Sequence, residues 1–154
     1  MRRKFYFERE EGAPPPFVRE HSRRARFGEV DAMAIVWHGH YAVIFEEVST
    51  ELRRDLGLTY EAFFEEGLRA PIVKLHVDYH RSLVLDELFT ARASLVWSSA
   101  ARLNIEYEIR RGDGEVAATG YTVQLFTTAD GEPCFLVPPL LERCLRNWKE
   151  GGLA

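Results

Sequence analysis

Apolar residues at Tyr41, Phe45, Val48, Leu52 and Leu56 recur in steps of four and three, the spacing of one helix face. They predict a helix from about residue 40 to residue 55, stopped near Gly57, with Glu46, Glu47, Glu51, Arg53 and Arg54 on a wet opposite side. Residues 59–67 predict a short second helix, with Thr59 as N-cap and Gly67 beyond its last turn. After Pro71 the period changes to two. Val73, Leu75, Val77 and Tyr79 alternate with Lys74, His76, Asp78 and His80, which predicts a half-buried strand. Alternation returns over 86–97, 103–109 and 116–126, with turns expected at 98–101 and 111–114. Ahead of the long helix, residues 17–27 alternate weakly and carry much charge, as a strand that is partly exposed or lies at a subunit contact would. Residues 4–7 suit a short edge strand, residues 8–16 a polar, proline-broken connector, and Leu140, Leu141, Cys144, Leu145 and Trp148 a short C-terminal helix.

Strand, long helix, short helix and then about four strands joined by short turns imply an α+β fold: an antiparallel sheet with the helix lying across one face. The chain divides into an N-terminal extension (1–16), one domain (17–137) and a C-terminal helix (138–154). A single sheet of this size leaves its other face and its edges to be covered, and a homodimer is the expected remedy.

At 154 residues, 46% hydrophobic and 29% charged, there is material for one soluble domain. A net charge of -4 gives no footprint for nucleic acid. The basic residues are mostly arginine, which suits bidentate phosphate contacts and leaves a phosphorylated small ligand open. The N-terminus lacks a secretory apolar core, and no apolar run approaches the ~20 residues needed to span a membrane. Cys134 and Cys144 have neither metal nor disulfide-framework spacing. A cytoplasmic protein without metal or cofactor is the expectation.

The candidate chemistry gathers before the long helix. Asp31 stands alone in an apolar run, 32–37, that would desolvate its carboxylate, and His38-Gly39-His40 leads into the helix. A helix N-terminus offers unpaired N–H groups and partial positive charge, and Gly39 removes bulk where a ligand would approach the backbone. Each residue also has a plain structural reading. Asp31 would cap a turn, Tyr41 would belong to the core, Glu46 would be solvated helix surface, and His76 with His80 would form a structural or interface pair. Arg81, in the turn after Tyr79-His80, is the better of two arginines, with Arg102, for gripping a phosphate.

The stretch RFGEVDAMAIVWHGHYAVIFEEVSTELRRDLGL resembles the signature of hotdog-fold acyl-CoA thioesterases of the 4-hydroxybenzoyl-CoA thioesterase type, in the frame Asp, Ile-Val, aromatic or His, Tyr, Phe-Glu, Leu-Arg. VDYHRSLVLDELFTARASLVW is similar to a later strand, turn and strand of that family. Val30 and Ala34 depart from it, standing where Thr or Cys and Gly are common. The resemblance implies a curved antiparallel sheet wrapped around one long central helix. It also implies hydrolysis of an acyl-CoA thioester, or an acyl carrier protein thioester, with Asp31 as nucleophile or general base. The backbone N–H at His38 would face the thioester carbonyl, Gly39, Tyr41, Glu46 and Arg81 are candidate substrate contacts, and sites would lie across a homodimer interface, within a dimer of dimers. A hydroxyacyl-thioester dehydratase and a non-catalytic acyl-CoA-binding protein are the competing readings.

Overall fold

The computed structural model describes residues 5–151. In chain order the elements are β1 (Phe17–Arg24), α1 (Tyr41–Asp55), α2 (Tyr60–Glu65), β2 (Leu68–Arg69), β3 (Ile72–Tyr79), β4 (Leu88–Val96), β5 (Arg102–Arg111), β6 (Val116–Leu125), β7 (Thr127–Thr128) and α3 (Pro139–Lys149). Five strands form one antiparallel sheet in the order β1-β4-β5-β6-β3, while β2 and β7 pair separately, a small sheet that the hydrophobic pattern did not reveal. The expected α+β arrangement is present: a long helix laid across one face of a curved antiparallel sheet, the hotdog fold.

The predicted stripe is what binds helix to sheet. Tyr41, Phe45, Val48, Leu52 and Leu56 are all buried, joined by Ile44. The Phe45 ring stacks on Tyr107 of β5 with centroids 4.2 Å apart. A Cβ on Gly120 of β6 would stand 2.8 Å from the same ring and 2.2 Å from the His76 carbonyl, so only glycine lets helix and sheet close there.

The charged side of α1 is also organised. Arg19, His21 and Arg23 of β1 pair with Asp55, Glu51 and Glu47 of α1 at 2.5, 3.3 and 2.8 Å. Steps of two along a strand and four along a helix both advance about 6 to 7 Å, so two antiparallel elements can match charges rung by rung. Arg53, predicted on the wet side, is instead buried, because its guanidinium folds back to Glu46 at 2.6 Å and to the Ser49 carbonyl.

Two further expectations are corrected. β3 is not half-buried: among the described residues it pairs only with β6 and has no strand against its other edge, and Leu75 and Tyr79 on its helix-side face are 47% and 53% exposed. Phe5 to Phe7 form no strand, and Lys4 lies outside the described residues. Instead the Tyr6 and Phe7 N–H groups donate to the buried Glu106 carboxylate at 2.9 and 3.1 Å, and Arg9 pairs with it. The first segment thus covers the sheet face opposite α1. At the other end of the chain, the Trp148 ring packs edge-on against Trp97, and its Nε1–H donates to the Pro15 carbonyl. Among the described residues, no helix is long and apolar enough to cross a membrane.

Candidate functional site

Asp31 sits in a small hairpin. Its N–H donates to the Ile35 carbonyl, Val30 bridges Val36, and the Trp37 N–H donates to the Glu29 carbonyl. The tip closes through an Ala34 N–H to Asp31 carbonyl bond at 3.0 Å, with Ala34 at φ +59°. The hairpin is fastened to the segment before β4 by Val36 N–H to Leu83 and Leu85 N–H to Ala34 bonds. Asp31 Oδ1 accepts the Met33 N–H at 2.8 Å, so the turn-capping role is present. Its second oxygen accepts nothing from the described residues. The apolar run expected to desolvate it does not do so within one chain, because Ala32, Met33, Ala34 and Trp37 all face solvent.

The hairpin leads directly into the start of α1. Residues His38–His40 form a 3-10 turn, and α1 follows at Tyr41. The N–H groups of His38 and Gly39 have no partner one turn back, as at any helix start. Gly39 leaves room for its neighbour, since a Cβ there would lie 2.4 Å from the Trp37 ring and the exposed indole would have to swing aside. The His38 carbonyl accepts the Tyr79 hydroxyl at 2.5 Å, which ties this turn to the exposed edge strand β3. Tyr41 is 3% exposed, its ring edge-on to Tyr79 at 5.0 Å and its hydroxyl at the Leu83 backbone. It supports the turn from beneath and reaches no open surface.

Beneath the hairpin lies a residue that the sequence reading passed over. Glu29 is 6% exposed and its carboxylate accepts from three elements. Arg23 of β1 donates at 2.6 and 2.9 Å, the Arg26 N–H at 2.8 Å, and His40 Nε2 stands 3.0 Å away. Burial alone would raise the Glu29 carboxyl, but Arg23, the Arg26 N–H and His40 outweigh it and hold it at about 2. Glu29 is therefore an ionised, acceptor-only group, so His40 Nε2 carries the hydrogen of their bond. Arg23 also pairs with Glu47, and through it Glu29 is linked to the body of α1. No local spacing advertises this cluster; the sequence offers only a second acid two residues before Asp31.

The other predicted contacts lie elsewhere. Glu46 is held by Arg53, Thr50 and Tyr60. Arg81 pairs with Glu115 at 3.3 Å in an open recess that also contains Asp113, acids that oppose a phosphate. A cavity of about 560 Å³ is lined by Thr50, Arg53, Leu58, Phe63, Phe64 and Pro71, among others. From Tyr41 to Thr50 the helix axis rises about 14 Å, so this cavity stands at the far end of α1 from Asp31.

Residues 25–144 match the model of the thioesterase-like superfamily, and the chain belongs to that family. An acyl-CoA thioesterase of Haemophilus influenzae is 30% identical over 89 residues, 57% of this chain and 65% of that protein. The structure is similar to a DHNA-CoA thioesterase from Staphylococcus aureus, with a TM-score of 0.73 at 28% identity over 88% of each chain. A 1,4-dihydroxy-2-naphthoyl-CoA thioesterase from Synechocystis shares the fold, with a TM-score of 0.74 at 14% identity over 84% of this chain and 96% of that one.

Proposed function

We propose that this protein hydrolyses acyl-CoA thioesters, with Asp31 delivering the oxygen nucleophile and the His38 and Gly39 N–H groups receiving the oxyanion. The observation that carries the reading is the pairing, within one short loop, of a carboxylate with a free oxygen and a helix start with free donors. Family membership, and relatives whose names specify acyl-CoA and DHNA-CoA thioesters, support the substrate class.

Attack on the thioester carbon moves charge onto the carbonyl oxygen. Preorganised backbone donors stabilise that charge by about 3 kcal/mol per hydrogen bond. The C–S bond then breaks, releasing the CoA thiol and a carboxylic acid. Asp31 serves either as the base that takes the proton of water and passes it to the departing sulfur, or as the nucleophile whose acyl adduct water then opens. An acyl carrier protein thioester is open to the same chemistry.

The working unit is proposed to be a homodimer formed through β3, associating further as a dimer of dimers. The exposed edge and apolar side chains of that strand favour an isologous antiparallel pairing. Such pairing would bring the Pro71 end of one copy beside the Tyr79 and His38 end of the other. The arginine-rimmed cavity of one chain would then adjoin the Asp31 loop of its partner and receive the acyl group. Arg81 is offered as a contact for the CoA phosphates only if its bond to Glu115 opens.

The test follows free thiol release from aromatic and aliphatic acyl-CoAs by the wild type and by Asp31→Asn. The variant is expected to lose about 100-fold or more in kcat while staying folded. Equal rates in the two proteins would remove Asp31 from the chemistry. Absence of turnover with any thioester would favour a binding protein or a dehydratase.

A further inference from the structure

We propose that Glu29 is the positioning residue of this site: it locks the hairpin that carries Asp31 to the opening turn of α1 by holding His40 and Arg23 together, and so fixes the carboxylate relative to the backbone donors. The inference rests on the thioesterase reading above. Three observations lead to it. First, the two halves of the chemistry sit on different pieces of backbone, the hairpin and the start of the helix, joined covalently only through the exposed Trp37. Second, Glu29 touches both. Its backbone carbonyl accepts the Trp37 N–H at 2.9 Å, and its carboxylate lies 3.0 Å from His40 Nε2, the last residue before α1. Third, the carboxylate is buried and its remaining positions are filled by Arg23 and the Arg26 N–H, so it is not free to follow a displaced helix start.

Arg23 extends the lock. Its guanidinium spans Glu29 and Glu47, and its face lies over the Phe89 ring at 4.9 Å, so strand β1, hairpin and helix are referenced to one planar group. Bidentate arginine contacts give geometric specificity as well as energy. A shift of about 1 Å between nucleophile and oxyanion donors can cost about 100-fold in rate with little change in ground-state binding. Glu29 would therefore act on kcat through its neighbours, without touching the substrate.

The experiment compares wild type, Glu29→Gln, His40→Ala and the double variant in two readouts. The kinetic one is kcat and KM for the best acyl-CoA substrate. Glu29→Gln is expected to lower kcat about 10- to 100-fold with KM within about threefold. The double variant is expected to fall no further than the worse single one, because both changes break one linkage. The second readout is amide hydrogen exchange. It requires no turnover and so separates failure of this inference from failure of the thioesterase reading. In Glu29→Gln the Ala34, Trp37 and His40 amides are expected to exchange about tenfold or more faster, while those of β5 and β6 keep their protection. An equal rise in exchange across the whole chain, unchanged exchange over residues 31–40, or a raised KM with intact kcat would each overturn the proposal.

Discussion

Ala34 holds a left-handed backbone at the hairpin tip, φ +59°, where an L side chain costs about 1–2 kcal/mol and glycine almost nothing. Part of that cost is recovered because alanine leaves the unfolded chain less entropy to lose. Ala34→Gly is therefore expected to stabilise the fold by about 0.5–1 kcal/mol, raising Tm by about 2–3 °C in a thermal melt. The strain is visible in outline in the sequence, since Ala34 stands where the resembling family commonly has Gly. Other residues were legible only in part. Asp31 stood out by its isolation, yet its bond to the Met33 N–H combines a turn cap with whatever chemistry it performs. Glu29, His40 and Tyr79 were missed for a common reason: each acts through a partner on another element, at a spacing no helix or strand period selects, Arg23 and His40 for Glu29, and the His38 carbonyl for Tyr79.

The elements themselves were easier to read, because α1 and the inner sheet strands bury one face each and the burial imposes a period. Gly120 marks the closest approach of helix and sheet. In Gly120→Ala the new methyl would meet the His76 carbonyl, which belongs to a neighbouring strand and cannot swing aside. The expected cost is about 3 kcal/mol, read as a lower urea midpoint at unchanged slope. β3 shows where the period fails. Alternation distinguishes two faces of a strand but not a central strand from an edge one, and the burial of Leu75 and Tyr79 depends on what lies beyond the edge. Arg53 was misplaced for a related reason: its reach back to Glu46 removes from water a head group that the helical wheel puts outside.

At the scale of the whole molecule, the unpaired β3 edge and the separation of Asp31 from the large cavity along α1 point to one remedy, a second copy. Leu75→Lys puts a charge on the helix-side face of that edge while disturbing no buried contact within a chain. It is expected to yield folded monomers by sedimentation and, on the proposed shared site, to lower kcat/KM about tenfold or more, since each cavity would then lose its partner's Asp31 loop. Unchanged activity in a monomeric variant would show that one chain is sufficient. The sheet face opposite α1 carried no sequence signal of its covering, because the contacts of Tyr6, Phe7 and Arg9 with Glu106 join residues nearly a hundred positions apart.

The contact between Gly39 and the Trp37 ring makes two positions behave as one inherited unit. A larger residue at 39 must displace the exposed indole, and meets no such obstacle once position 37 has shrunk. Drift through this loop therefore has a favoured order, tryptophan first and glycine second. That epistasis lets the turn before α1 change its shape without passing through a crowded intermediate.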